Sequence, residues 1–233
     1  ANPVALGKAR ARQMYLYETG TEKDCYVGDR VVCIQMHGDA AFTGQGVVTE
    51  TLGLSNLPHF SAGGSVHVIV NNQIGYTTPS MNARSSVYTS DVGKMINCPV
   101  LHVNADFPED VAFATHLAFE YRKTFRKDII LDLISYRRMG HNELDEPAFT
   151  QPLMYKKIRG QKSVPAKYED QLVSEKVLTK EDIDTFRKSY YIHLEGKLEA
   201  SYSYKPQVEA FKGKWSKMVP VTKSVIKLDT GVG

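Results

Sequence analysis

The runs Val31-Val32-Cys33-Ile34-Gln35-Met36-His37-Gly38-Asp39-Ala40 and Ser65-Val66-His67-Val68-Ile69-Val70-Asn71-Asn72-Gln73-Ile74-Gly75 decide how this chain folds. Each is a short apolar strand pattern that ends on a polar cluster. Between them, Gly46 to Leu57 reads as a helix, so the stretch forms a parallel strand-helix-strand unit. In such a unit the carboxyl ends of both strands share one sheet edge, where open α/β folds bind ligands. Asp39 and Asn72 then point into one crevice although they lie far apart in sequence. An Asp carboxylate, an Asn amide oxygen and a loop carbonyl such as that of Ile74 are hard oxygen ligands. Mg²⁺ takes such a set while keeping its other positions for water and phosphate oxygens. The N–H groups at the start of the intervening helix face the same crevice and suit a diphosphate. Residue types and spacing alone leave two readings open: this metal-diphosphate site, or plain turn punctuation, for which Gly-Asp and Asn-Asn are common words.

Outward from that unit, Pro99 to Asn104 and Ile129 to Tyr136 are two further apolar strands. Four strands alternating with helices predict an α/β domain with a doubly wound parallel sheet. The run Ile129 to Tyr136 is nearly continuous, as in a sheet covered on both faces. Asp132 interrupts it, and a buried Asp must be paired or hydrogen-bonded unless its face is open. Residues 4 to 18 read as a helix with Lys8, Arg10 and Arg12 on a solvated face, and Thr19 to Asp29 as a surface loop. Gly75 to Ser90 lacks apolar periodicity and is expected as a loop over the crevice. Within it Arg84 reads as an exposed side chain, with an anion contact as the alternative.

Asp106-Phe107-Pro108 opens another helix. Val111, Ala114, Leu117, Ala118, Tyr121 and Phe125 give it an apolar face, and Arg122, Lys123, Arg126 and Lys127 complement its C-terminal dipole. His116 is read as a helix-surface histidine. The polar loop Arg137 to Pro147 follows the fourth strand; Glu143 and Glu146 in it read as solvated. From Thr150 the pattern is helical, with short candidates Leu153 to Arg159 and Ala166 to Ser174. Thr179 and Asp182 form a capping box for a longer helix, whose stripe Ile183, Phe186, Tyr190, Leu194 and Leu198 reads as packing. The organisation expected is an α/β domain over 1–150, a helical extension over 151–205, and the start of a linker or further element over 206–233.

Composition excludes several classes. Of 233 residues, 42% are apolar and 24% charged, which suits a globular domain with a sizeable core. A net charge of +3, with both signs interleaved, makes no electrostatic case for nucleic acid. No apolar run approaches the roughly twenty residues of a membrane span, so a soluble chain is expected. Cys25, Cys33 and Cys98 lack CxxC spacing, which argues against a disulfide framework or zinc site and for a reducing compartment. P-loop, G-x-S-x-G and H-E-x-x-H motifs do not occur, and Gly44-Gln45-Gly46 lacks the third glycine of a dinucleotide fingerprint. The opening Asn2-Pro3-Val4-Ala5-Leu6-Gly7-Lys8 reads like the inside of a domain, so a piece of a longer protein is expected.

Gly38-Asp39-Ala40 through Asn71-Asn72 resembles the thiamine-diphosphate fingerprint, usually Gly-Asp-Gly followed at this distance by Asn-Asn. Ala40 departs from the usual third glycine. That departure matches the 2-oxoglutarate dehydrogenase E1 family, which His37-Gly38-Asp39-Ala40-Ala41-Phe42-Thr43-Gly44-Gln45-Gly46 strongly resembles. So do Val70 to Thr78, Gly140-His141-Asn142-Glu143, Asp145-Glu146-Pro147 and Gln151-Pro152-Leu153-Met154-Tyr155. Within that family, Leu54 to Phe60, Gly63 to His67 and Phe119 to Arg122 are worded most like the branch associated with 2-oxoadipate in lysine breakdown.

The resemblance implies decarboxylation of a 2-oxo acid with thiamine diphosphate and Mg²⁺, then acyl transfer to a lipoyl group on an E2 acyltransferase. It also implies a homodimer with a second E1 chain and a mitochondrial matrix location. Residue by residue, Asp39 and Asn72 would bind Mg²⁺ through side chains and Ile74 through its carbonyl, with Ala40 beside the cofactor. Arg137 and His141 would lie near the cofactor and channel mouth, His141 as a proton carrier or phosphate contact. Asn142 stands where related subunits carry a regulatory Ser, so control by phosphorylation there is not expected. In this family the glutamate that activates the aminopyrimidine comes from a second α/β domain, which these residues lack, so the piece alone is expected to be inactive. Two rivals remain: a non-catalytic assembly or phosphate-sensing domain on the same fold, and another thiamine enzyme of the transketolase type.

Overall fold

The computed structural model describes residues 1–20, 28–206, 215, 216 and 231. Cys25, most of the loop expected over Thr19 to Asp29, and nearly all of the segment after 206 lie outside the described residues. Two compact units are present, Ala1–Glu175 and Lys176–Gly233. The first therefore extends past 150 and includes two of the helices expected as a separate extension.

In chain order the first unit contains α1 (Asn2–Glu18), β1 (Cys33–Gly38), α2 (Asp39–Gly44), α3 (Gly46–Leu54) and β2 (Ser65–Asn71). A two-stranded hairpin of β3 (Ile74–Gly75) and β4 (Thr78–Pro79) follows, then the single turn α4 (Ser80–Ala83) and a 3₁₀ segment, Thr89–Ile96. Next come β5 (Val100–Asn104), α5 (Pro108–Phe125), β6 (Ile129–Ile134), a 3₁₀ turn at Pro147–Phe149, α6 (Pro152–Gly160) and α7 (Val164–Ser174). The helix expected over Gly46 to Leu57 is α3, which ends at Leu54, and a separate short helix, α2, precedes it, set off by Gln45 in an extended conformation (φ −98°, ψ 111°).

The main sheet has the order β1-β2-β6-β5, with every pairing parallel, the α/β architecture that the strand patterns predict. Alternation sends its side chains to two covered faces. On one, Ile69 of β2 and Ile130 of β6 pack with Phe42, Val48, Leu52 and Cys98 beneath α2, α3 and the 3₁₀ segment. On the other, Val66, Ile129 and Leu131 meet Ala114 and Ala118 of α5. Edge strand β1 is the exception: Cys33, Gln35 and His37 are buried while Ile34 and Met36 are exposed. Gly64, at φ +77°, leads into β2 so close to the Lys127 backbone that no Cβ fits there.

Helix α5 corrects one expectation. Its inward stripe is Ala114, Ala118 and Arg122, while Leu117 and Phe125 are exposed. Arg122 does not cap the helix end. It lies buried and donates to the carbonyls of Gly64 (3.0 Å), Gly28 (3.0 Å), Val31 (3.1 Å) and Ala62 (3.1 Å). A guanidinium can be buried in this way because four of its five N–H donors keep an acceptor. Gln13 of α1 ties into the same carbonyls, donating to Val31 and Ala62.

In the second unit, α8 (Lys180–Ser203) opens on the expected capping box of Thr179 and Asp182. Its apolar stripe does not pack as expected: Phe186, Tyr190, Leu194 and Leu198 are all exposed. No helix of the described residues is long and apolar enough to cross a membrane.

Candidate metal and diphosphate site

The turns after β1 and β2 meet at the carboxyl edge of the sheet. A Cβ added to Gly75 would lie 2.7 Å from the Cβ of Ala40, so the start of α2 is pressed directly against the β3-β4 hairpin. This contact brings the Asp39 turn beside the Asn72–Ile74 turn, as the strand-helix-strand reading requires.

Asp39 is the first residue of α2 and is 2% exposed. Its carbonyl accepts a 2.7 Å hydrogen bond from the buried Thr89 hydroxyl. Its carboxylate faces Arg84, with Nη1 3.6 Å from Oδ2, too long for a hydrogen bond and close enough for an ion pair. Burial pushes the Asp39 carboxyl above the usual range, while the Arg84 guanidinium and the N–H groups of Asp39 and Ala40 pull it down. Arg84 is thus not the exposed arginine expected from sequence: its side chain is 6% exposed. At six residues, α2 contributes less helix-terminus charge than a single long helix would.

Asp132 has the partners its position demanded. Its Oδ1 accepts from the Asn71 amide (3.0 Å), and Oδ2 pairs with the Ser90 hydroxyl (3.3 Å) and His102 Nδ1 (3.0 Å). The Asn71 carbonyl takes the Ser135 N–H at 2.8 Å, and its side-chain oxygen takes the Gln73 N–H at 3.3 Å. These bonds fix Asn71, the last residue of β2, and with it the start of the turn that carries Asn72. The Asn72 side-chain oxygen accepts from the Ile74 N–H at 3.2 Å, which occupies one of its two lone pairs. In the hairpin Ile74 is paired with Pro79, which has no N–H to donate to it. Gln73 (φ 64°) and Tyr76 (φ 54°) take left-handed conformations on either side.

The loop after β6 is clamped onto the same hairpin. Arg137 Nη2 donates to the Tyr76 carbonyl at 3.0 Å, and Nε to the Met139 carbonyl (3.1 Å) and the Tyr155 hydroxyl (3.3 Å). Tyr155 of α6 is wholly buried against Ile74 and Ile158. Arg137 also pairs with Asp145 at 3.7 Å, and Asp145 accepts the His141 N–H at 2.8 Å. The exposed His141 ring sits edge-on to Tyr76, with centroids 4.7 Å apart. Arg137 is therefore a brace within this loop, and His141 lies against Tyr76, which is two residues after Ile74 along the hairpin. Glu146 is exposed as expected, and it also caps the 3₁₀ turn and pairs with Arg159 at 2.6 Å. Cys33 and Cys98 are buried free thiols; burial pushes Cys98 up to about 12, as befits packing residues.

These residues fit a divalent cation with a diphosphate. Among the described residues no three His, Cys, Asp or Glu side chains are placed to hold a metal ion. Any metal here rests on a mixed oxygen set, and one carboxylate, one amide oxygen and one carbonyl suit Mg²⁺ with phosphate completing the shell. The turns that carry Asp39, Asn72 and Ile74 lie together as expected, and His141 lies against Tyr76 of the same hairpin; sequence reasoning missed Thr89, for which no local signal exists, and misplaced Arg84.

The family model described as dehydrogenase E1 component matches residues 1–209. The chain is 50% identical over 233 residues to the Rattus norvegicus protein named 2-oxoadipate dehydrogenase complex component E1, covering 99% of this chain and 25% of the relative. It is 49% identical over 233 residues to the Homo sapiens protein of the same name, with the same coverages of 99% and 25%. It is 49% identical over 220 residues to the 2-oxoglutarate dehydrogenase E1 component of Brucella suis, covering 92% of this chain and 22% of the relative. The chain thus spans about a quarter of the length of the curated relatives it matches. On the family match and these identities, the chain belongs to the dehydrogenase E1 component family.

Proposed function

We propose that this chain is the metal- and diphosphate-holding part of the E1 component of a 2-oxo acid dehydrogenase complex. The full protein then acts on 2-oxoadipate or 2-oxoglutarate, works as a homodimer in the mitochondrial matrix, and passes its acyl product to a lipoyl-bearing E2 acyltransferase. For the 2-oxoadipate choice the setting is lysine degradation. The observation that carries the reading is the pair of turns meeting at Ala40 and Gly75. There a buried carboxylate, an amide oxygen and a carbonyl whose hairpin partner has no N–H share one sheet edge.

Asp39, Asn72 and the Ile74 carbonyl would hold Mg²⁺, and through it the diphosphate of thiamine diphosphate. Thiamine diphosphate, when bound, supplies the electron sink that decarboxylation of a 2-oxo acid needs. The residues of this chain keep the donors in place. Thr89 pins the Asp39 backbone, and Asp132 fixes Asn71, the residue before Asn72. Arg137 holds the His141 loop at the rim, where the imidazole can carry a proton or meet a phosphate oxygen.

The test is calorimetric titration of thiamine diphosphate, with and without Mg²⁺, into the full-length protein and its Asp39→Ala variant. Binding that needs Mg²⁺ and disappears in Asp39→Ala supports the site. Undiminished Mg²⁺-dependent affinity in that variant sinks it. Comparing kcat/KM for the two oxo acids then settles the substrate.

A further inference from the structure

Two arginines of the first unit are buried, and they are treated in opposite ways. Arg122 has a carbonyl for each donor it turns inward. Arg84 has its Nε and Nη1 buried with no hydrogen-bond partner. A buried guanidinium without acceptors is costly, and a fold that saturates Arg122 is able to saturate another where the role is structural. What faces Arg84 is the Asp39 carboxylate, at a distance that gives charge neutralisation without a hydrogen bond. The arginine follows α4 in extended backbone (φ −157°, ψ 154°), and Met81 and Val87 on either side are exposed. The segment thus dips a single cation into the site.

We propose that Arg84 is the resident counter-ion of Asp39 and the diphosphate-binding arm of the site, handing the carboxylate to a divalent cation and turning its free N–H donors onto phosphate oxygens. This rests on the metal-diphosphate reading and adds a cation to a set that had none. A metal bound to the Asp39 carboxylate and a guanidinium on the same group repel each other, so arrival of the one displaces the other. A diphosphate ester carries more negative charge than one Mg²⁺ cancels, and the six-residue α2 offers little to the remainder. The planar fork of an arginine matches phosphate oxygens in geometry as well as charge. Until the cofactor comes, the ion pair keeps the 80–88 segment seated.

The experiment uses the full-length protein as wild type, Arg84→Gln, Arg84→Lys and Asp39→Ala, with folding checked by circular dichroism. Two probes are titrated: Mn²⁺ alone, read from the free-ion electron paramagnetic resonance signal, and inorganic diphosphate with Mg²⁺, read by calorimetry. Arg84→Gln should bind Mn²⁺ alone at least as tightly as wild type, because the competing cation is gone. Its affinity for Mg²⁺-diphosphate should fall about tenfold or more, the effect of losing a charge-assisted hydrogen bond. Arg84→Lys should recover part of that loss. In the wild type, hydrogen exchange over 80–88 should change on adding Mg²⁺-diphosphate.

Diphosphate affinity within about twofold of wild type in Arg84→Gln overturns the proposal. So does loss of Mn²⁺ binding in a folded Arg84→Gln, which makes the arginine a mere support for Asp39. Unchanged exchange over 80–88 overturns it too, and that readout needs no variant. If Asp39→Ala keeps Mg²⁺-dependent diphosphate binding, the site reading itself has failed. If Asp39→Ala loses binding while Arg84→Gln keeps it, only the role of Arg84 has failed.

Discussion

Replacing Asp132 by Ala separates a tolerated buried charge from one that builds the site. The carboxylate is wholly buried and takes three hydrogen bonds, from Asn71, Ser90 and His102. After truncation the three donors fare differently. The His102 side chain is 37% exposed and recovers water, so its loss costs little. Asn71 and Ser90 are 2% and 1% exposed and cannot, and each orphaned buried group costs about 1–3 kcal/mol. The sum is about 2–6 kcal/mol, in line with the roughly 3–5 kcal/mol seen when one partner of a buried pair is removed. A loss of about 3 kcal/mol corresponds to amide exchange faster by roughly two orders of magnitude wherever the same opening exposes the backbone. Hydrogen exchange across 65–75 and 129–135 of the full-length protein therefore reads the effect locally, without assuming two-state unfolding. Asp132→Asn keeps the shape and part of the acceptor capacity, and should cost about 1–2 kcal/mol. Mg²⁺-dependent affinity for thiamine diphosphate should fall in the same order, because Asn72 is aimed by Asn71. Exchange in Asp132→Ala within about fivefold of wild type would show that Asn71 is held by its backbone alone, and the positioning argument would be wrong.

Two more perturbations test the packing around Asp39. His37 is buried against His67, and burial first, then the charge of His67, lowers its pKa to about 4. Its folded pKa lies below the unfolded value near 6.5, so the unfolded chain takes the proton first as the pH drops. The stability from keeping His37 neutral is complete above about pH 6.5 and is lost toward pH 4, up to about 3 kcal/mol. Unfolding followed from pH 7 to 4.5 should show that slope, and His37→Gln should flatten it; an unchanged slope would assign the titration to another group. Gly75→Ala drives a methyl into the Ala40 methyl and should cost about 1–3 kcal/mol. Adding Ala40→Gly should return about 1 kcal/mol or more in a double-mutant cycle. Strict additivity would mean that the two turns do not touch.

What was legible in the chain, and what was not, divides along the range over which each signal acts. The strands show in the sequence because alternation and apolar runs are local, and all four appear within a few residues of where the patterns put them. That Asp39, Asn72 and Ile74 share one sheet edge was legible for a related reason: parallel topology sends consecutive strand ends to one edge, so spacing along the chain becomes proximity in space. Asp132 was legible as an anomaly, because a carboxylate inside an apolar strand needs partners, but Asn71, Ser90 and His102 could not be named in advance. The two buried arginines were misread for the converse reason. A cation at the end of a helix or in a polar loop looks the same whether water or protein satisfies it. The carbonyls that receive Arg122 come from Gly28, Val31, Ala62 and Gly64, none of them near it in sequence. Arg84 is harder still, since its Nε and Nη1 are buried without a hydrogen-bond partner and its one charge partner, Asp39, lies 45 residues earlier. The stripe on α8 makes the same point from the apolar side, for amphipathic spacing says that a helix has a face to cover without saying what covers it. Local pattern thus finds residues whose neighbours are implied by the fold, and it fails for long side chains whose burial depends on distant acceptors. Functional cations belong to that second class whenever the acceptor is the ligand, so an arginine buried without protein acceptors is a sharper pointer to a binding site than any motif it follows.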